Sequence, residues 1–350
     1  MNKKLKVGIA GYGVVGKKRR QFIDQHPNLQ TVAICDTRFK QTPHVEENIK
    51  SFTTYQELLN EDLDILFVCL TNEIAAEVTC AALQKKRHVF CEKPPGRDLN
   101  DIANVILEER KDSKLKLMYG FNHRYHESVK EAFDIIKRGS LGKIINLRAV
   151  YGKSKIISFE SDWRTKREFA GGGILLDQGI HMVDLIRMFV GDFEEIHSFV
   201  DNSFWNHDVE DNAYALMKTQ NGIVAFLHST ATQWRHRFHF DISLEKGSIT
   251  LSGILSGTKS YGAETITVAT KSEEDGGDPE EKTIRYNKDN SWREEIEYFA
   301  NCIINNQKIE QGSSTDAYKT MELVYKIYCA DPKWKKKFNL SDKPKIDFHL

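Results

Sequence analysis

The side chains best suited to chemistry in this 350-residue chain are one lysine and one acid–imidazole set. Lys93 stands in Cys91-Glu92-Lys93-Pro94-Pro95, at the end of a short apolar run. An ammonium with a reference pKa of roughly 10.4 suits stabilisation of a developing alkoxide, and burial beside another positive group would lower that pKa enough to make it a base. Asp177, His181 and Asp184 follow three glycines, Gly171, Gly172 and Gly173. In a helix Asp177 and His181 are i and i+4, and His181 and Asp184 are i and i+3, so all three share one face. One carboxylate can orient the imidazole, whose reference pKa of roughly 6.5 suits proton exchange near neutrality. Lys93, Asp177 and His181 are the catalytic candidates. A capped helix that merely carries an acid–histidine pair fits the same spacing. The glycines would let the backbone pass close to a ligand.

A second cluster reads as a nucleotide site. Val7, Ile9 and Ala10 form an apolar strand, and Gly11, Gly13 and Gly16 give the G-x-G-x-x-G spacing before a helix over residues 14–25. Gly11 serves the tight turn, Gly13 the approach of a pyrophosphate, and Gly16 close packing of helix on strand. The helix start at Val14 and Val15 presents N–H groups and a positive dipole end to phosphates. The apolar run 31–35 ends in Asp36, about 20 residues past the glycines, where an acid binds ribose hydroxyls. That carboxylate would repel a 2′-phosphate, so NAD is the expected cofactor. Arg38 and the basic run from Lys17 to Arg20 keep NADP open, although a solvated helix face explains that run as well.

These groups need elements to hold them. Strand and helix patterns alternate through the first third: strands at 65–70, 88–91 and 116–120, helices at 54–59, 73–84 (capped by Asn72) and 99–109. Such alternation predicts a parallel sheet with helices on both faces and ligands beyond the carboxyl ends of the strands, where Glu92, Lys93 and Pro94 fall. After a helix at 127–138 and a strand at 143–151 come extended runs at 195–200, 213–218, 224–232, 238–244, 248–251 and 265–270. Turns at Asn221-Gly222 and Lys246-Gly247 join several of them as hairpins. The expected class is α/β: a parallel-sheet nucleotide domain over residues 1–122, then an α+β domain over 123–350 with a large, open, mostly antiparallel sheet. One face of that sheet needs cover, from the closing helices at 291–305 and 315–330 or from a second subunit.

Composition narrows the setting. Fifty basic and fifty acidic residues cancel, which gives no broad electrostatic case for nucleic acid or anionic membrane. The basic stretch 333–338 reads as a solvated tail. No apolar stretch approaches the roughly 20 residues of a membrane span, and the N-terminal apolar segment reads as the first strand, not as a signal peptide. Six cysteines without a Cys-x-x-Cys pair suggest buried thiols in a reducing, cytoplasmic setting. His123 and His126 lack a zinc set, and the acidic stretch 273–281 lacks a calcium-loop pattern, so no metal is expected.

Taken together, the glycine fingerprint, Glu92-Lys93-Pro94 and the Gly-Gly-Gly…Asp177-x-x-x-His181-x-x-Asp184 block resemble the glucose–fructose oxidoreductase/inositol dehydrogenase/rhizopine catabolism (Gfo/Idh/MocA) family over nearly the whole chain. The resemblance implies a Rossmann domain, a C-terminal domain whose open sheet builds dimers or tetramers, and catalytic positions at Lys93, Asp177 and His181. It implies that Asn122 and Arg124, in Phe121-Asn122-His123-Arg124, lie near cofactor and substrate. Thr71 and Asn72 match a cofactor-side loop, but this chain lacks the proline and histidine common there. The implied reaction is hydride transfer between a secondary alcohol and NAD(P). Asp162-Trp163-Arg164, with Lys166 and Arg167, brings an aromatic and three cations towards the site. These suit a phosphate- or nucleotide-linked sugar, and Trp163, Arg164 and Asp184 join the substrate-binding candidates. The alternatives are a cyclitol or free monosaccharide, or a regulator that binds NAD(P) without turnover.

Overall fold

The computed structural model describes residues 4–156, 163–272 and 277–350. Two compact units emerge. Met1–Phe121, Trp292–Tyr318 and Pro344–Leu350 make the first; Asn122–Ser291 and Lys319–Lys343 make the second. A single boundary at 122/123 does not anticipate the two returns of the chain to the first unit.

In the first unit, β1 (Leu5–Ala10), β2 (Leu29–Cys35), β3 (Lys50–Phe52), β4 (Ile65–Val68), β5 (His88–Glu92) and β6 (Leu117–Gly120) form one sheet in the order β3-β2-β1-β4-β5-β6. Every pairing is parallel. This is the doubly wound nucleotide-binding order, in which direction reverses between β1 and β4. β4 is buried along its whole length, as expected where helices cover both faces. Phe67 and Phe90 stack at 4.8 Å in its core, and Phe299, from the helix Ser291–Ile304, meets both rings edge-on. That contact explains why a late segment belongs here: its aromatic ring completes this core.

The second unit holds β7 (Ile144–Gly152), β8 (Glu195–Asp201), β9 (Asn212–Lys218), β10 (Val224–Thr230), β11 (Arg237–Leu244), β12 (Gly247–Ser252), β13 (Glu264–Thr270) and β14 (Glu280–Tyr286). Their order is β14-β13-β12-β11-β7-β10-β9-β8. All pairs are antiparallel except β7 with β10. The alternating burial of β9 and β11 marks one packed face and one open face.

Some sequence expectations need revision. β3 is too short to show a pattern, and β14 is an edge strand whose charged, exposed residues hide it. Of the acidic stretch 273–281, residues 273–276 lie outside the described residues, while Glu280 and Glu281 open β14. Asn72 is not a cap: Thr71 holds that position, and Asn72 is the buried first residue of the helix Asn72–Gln84. The basic stretch near the C-terminus is not a tail. It forms the helix Pro332–Phe338, capped by Asp331, with Trp334 buried. The six cysteines are free, and no helix among the described residues is long and apolar enough to cross a membrane.

Candidate active site

The nucleotide side is built at the carboxyl end of β1. Gly11 adopts φ +90°, and a Cβ there would lie 2.2 Å from the Cys69 carbonyl oxygen, so only glycine fits. A Cβ on Gly16 would lie 2.0 Å from the Gly11 oxygen, so that helix and strand touch backbone to backbone. Gly13 caps the helix Val14–Gln25 with no side-chain bond, and Val14 is exposed. A helix start free of side chains is what a pyrophosphate requires. These residues fit a dinucleotide. At the end of β2, Asp36 accepts hydrogen bonds from the Tyr12 and Arg38 amides, and its two oxygens hold the Arg38 guanidinium at 2.8 Å each. Burial raises the carboxyl's pKa, but the bonds from Arg38 and Tyr12 outweigh it and leave the pKa lowered. The acid expected to read the ribose is therefore already paired with a cation.

In the basic run after the glycines, Lys17 is exposed while both arginines are engaged by carboxylates. Arg19 is fully buried between the Phe90 and Trp292 rings and bridges Glu92 (2.5 Å) and Glu295 (2.6 Å). Arg20 pairs with Asp24 and Glu46, and the Lys18 ammonium lies 3.9 Å from the Trp292 ring centre. The carboxylate of Glu92, a cofactor-binding candidate, thus holds Arg19 and anchors the strand end. Lys93 follows it directly, half-buried, with a cis bond to Pro94. Thr71 ends the loop after β4 and stands at the N-cap of the helix Asn72–Gln84.

The second unit gives the acid–imidazole set partners that its spacing did not reveal. Residues Leu175–Gly179 form one π-helical turn ahead of the helix Ile180–Val190. Such turns insert a residue and recur at functional sites. Asp177 sits in this turn. Its Oδ2 accepts from the Lys153 Nζ at 3.2 Å, and its Oδ1 faces the Arg164 Nε at 3.4 Å. Lys153, just past β7, is 4% exposed. Burial lowers its pKa, opposed by Asp177 and assisted by Arg164. His181 is buried and stacks on His123 with centroids 3.8 Å apart and planes 12° from parallel. The other face of the constellation is aromatic. His123 Nε2 lies 3.0 Å from the Tyr151 hydroxyl, and Gln178 donates to the Tyr261 hydroxyl, whose pKa burial pushes up to about 12.

Asp184 does not share this environment. It is buried and holds Arg124 through two 2.7 Å bonds, with Thr320 donating to it as well. These two substrate-binding candidates are bonded to each other and so pin two segments of the unit together. Asn122 is likewise buried, donating to Ser291. Gly172 and Gly173 of the glycine triplet are closely packed. A Cβ on Gly173 would strike Glu210 at 2.1 Å, and the fully buried Glu210 accepts from the Gly173 and Leu175 amides and the Tyr328 hydroxyl. Trp163 supports Arg164 at 4.2 Å, and Arg167 packs on Phe338 and bonds to the Gly171 carbonyl. Asp162 lies outside the described residues. No group of His, Cys, Asp and Glu among the described residues is arranged to hold a metal.

Sequence reasoning missed Lys153, and read His123 only as a failed zinc ligand. Lys153 carried no local signal, since Gly-Lys-Ser after a strand resembles any surface turn. His123 lies within Phe121-Asn122-His123-Arg124, between the two residues that the resemblance singled out, and that position was the one available hint.

Comparison with known proteins gives the same assignment for both halves. Residues 5–121 match an oxidoreductase family with an NAD-binding Rossmann fold, and residues 129–250 match the GFO/IDH/MocA C-terminal domain, together well over half the chain. Inositol 2-dehydrogenase of Salmonella typhimurium is 26% identical over 261 residues, 72% of this chain and 75% of that protein. 1,5-Anhydro-D-fructose reductase of Ensifer adhaerens is 29% identical over 205 residues, 57% of this chain and 60% of the reductase, so the match spans less than two thirds of that relative. In structure, levoglucosan dehydrogenase in complex with NADH superposes with a TM-score of 0.80 at 20% identity, over 95% of this chain and 98% of that one, a likeness of fold. The chain belongs to the GFO/IDH/MocA family of oxidoreductases, with an NAD-binding Rossmann domain ahead of the family's C-terminal domain.

Proposed function

We propose that this enzyme oxidises a secondary alcohol of a sugar or cyclitol with NAD, or runs the reverse reduction. The observation that carries this reading is the buried His181 set on the helix directly after the turn that holds Asp177. NAD, when bound, accepts the hydride. The chain's own residues must take the hydroxyl proton and stabilise the oxygen that loses it. His181 takes the proton, because an imidazole is the side chain whose reference pKa, roughly 6.5, suits proton exchange near neutrality, and Lys93 offers a cation to the developing alkoxide. The two roles exchange if the Lys93 ammonium loses its proton beside the cofactor. Asp177 holds a neighbouring hydroxyl of the substrate or orients His181.

The pairing of the cations bears on substrate charge. A phosphate- or nucleotide-linked sugar needs basic groups to receive it, yet Arg164 lies against Asp177 and Arg167 against Gly171 and Phe338. We therefore place an uncharged sugar or cyclitol first and the phosphate- or nucleotide-linked sugar second, the latter resting on Trp163, Arg164 and the exposed Lys166. Relatives named for inositol and anhydrofructose support the first choice. The open face of the second sheet is proposed to join copies into a homodimer or homotetramer.

The test is reduced-nicotinamide absorbance with myo-inositol, glucose, methyl glucosides, glucose 6-phosphate and UDP-glucose. Turnover of at least one uncharged compound is expected. Lys93→Met should bind NADH as wild type does and lose turnover by about 10²–10⁴-fold. Near-normal turnover in that variant removes Lys93 from the mechanism. NADH binding without turnover of any member of the panel would favour a regulator.

A further inference from the structure

We propose that Lys153 is a positioning residue for this reaction: its buried ammonium fixes the orientation of the Asp177 carboxylate, and turnover depends on that grip. The proposal rests on the dehydrogenase reading above.

Three independent features of the second unit converge on it. First, Lys153 is held rigidly. Its amide donates to the Thr230 carbonyl at 2.9 Å, and its carbonyl accepts from the Gln233 amide at 2.9 Å, so strand pairing continues through it past the end of β7. The ammonium leaves a fixed backbone position at the seam where β7 and β10 run parallel. Second, its partner stands on a less regular element. Asp177 belongs to a π-helical turn, and its amide donates to the Gly173 carbonyl at 2.7 Å. A carboxylate on such a turn gains a defined direction from side-chain partners. Lys153 contacts Oδ2 at 3.2 Å, and Arg164 approaches Oδ1 at 3.4 Å from a connecting stretch. The carboxylate side chain is 17% exposed while the ammonium is 5% exposed. A ligand would thus reach the acid but not the lysine behind it.

Third, a lysine at this depth is unfavourable for stability taken alone. Burial opposes its charge, and Asp177 only partly compensates. The nearby cations add to this: Arg164 disfavours the charged ammonium, and the neighbouring His236, which bonds to Ser154 and Ser260, has its pKa lowered by burial first and by Lys153 second. An apolar side chain would fill the same volume without these penalties. Groups kept against such a cost cluster at functional sites. The acid to which this one is tied is a catalytic candidate.

The test uses the full chain and a sugar or cyclitol that the wild type turns over. Lys153→Met should bind NADH with unchanged affinity and keep KM within about threefold. Its kcat should fall on the order of 10–100-fold, the scale of an ångström of misplacement. Asp177→Asn should lose at least as much, and the double variant should lose no more than Asp177→Asn alone, because the lysine acts through the acid. In Lys153→Ala, methylammonium should restore part of kcat and methanol none. Should the Met variant fail to fold, Lys153→Gln takes its place in the same cycle. Turnover of either variant within twofold of wild type overturns the proposal, as does a double variant whose loss is the product of the single losses. A wild-type chain that turns over nothing sinks the dehydrogenase reading and the positioning role with it; a working wild type with an indifferent Lys153 sinks the positioning role alone.

Discussion

Arg38 shows how far a single side chain can redirect a familiar motif. Asp36 stands where the glycine fingerprint leads one to expect the ribose-reading acid, but both of its oxygens are engaged by a guanidinium only two residues away. Removing the acid leaves that guanidinium next to the position a 2′-phosphate would take, and Arg is well shaped for such a group. Asp36→Ser should weaken NAD binding by about tenfold, roughly 1.4 kcal/mol, and bring NADP into a measurable range. Fluorescence titration with NADH and NADPH reads both effects; an unchanged preference would mean that Arg38 does not reach the phosphate. At this scale the sequence was legible wherever a role lay in residue type and local spacing, as with Gly11 at its tight turn and Gly16 at its close helix–strand contact. It was opaque wherever a role depends on a partner distant in the chain. Arg124 and Asp184 are 60 residues apart, and nothing local shows that each is the other's counter-ion.

Among the elements, the π-helical turn was not readable from the chain. Its glycines invite a flexible backbone, whereas Gly173 packs on Glu210, 37 residues downstream, which supplies acceptors to the N–H groups at the start of the turn. Regular strands and helices were accessible because their periodicity is local. Strand β14 was lost because an edge strand rich in charge breaks the alternation that identifies strands. The dependence on Glu210 can be tested. Glu210→Gln keeps the shape but replaces one acceptor oxygen with a donor facing buried N–H groups and the Tyr328 hydroxyl. The expected loss is about 2–4 kcal/mol of stability. A lower thermal midpoint and reduced turnover together are the predicted outcome. A midpoint equal to wild type would show that the turn does not need this anchor.

For the whole molecule, the outward face of the second sheet raises the question of assembly. Strand register aligns Phe199, Tyr214, His228, Val150 and His239 in one row, and His197, Leu216, Phe226, Arg148 and Asp241 in the next. Phe199 is 76% exposed and Leu216 51%, so the β8–β9–β10 half of this face is apolar and the β11 side polar. A second copy related by a two-fold axis would cover one apolar half with another, since an isologous interface needs only a surface complementary to itself. A stable dimer of this kind buries roughly 1,600 Å². Light scattering of the wild type at micromolar concentration should show a dimer or tetramer, and Leu216→Arg with Phe226→Arg should shift it towards monomer while NADH binding persists. His228 supplies an independent readout. Burial against Tyr214 pushes its pKa down to about 4, below the roughly 6.5 of an unfolded histidine. Between those values the unfolded chain binds more protons than the folded one, so stability is complete above about pH 6.5 and falls as the solution is acidified towards pH 4. Covering the ring with a partner strengthens the desolvation, so acid should dissociate the wild-type assembly before it unfolds the subunit. His228→Phe should blunt that response. A wild type that is monomeric at these concentrations, or a double arginine variant that keeps the wild-type mass, would rule out this face as the interface.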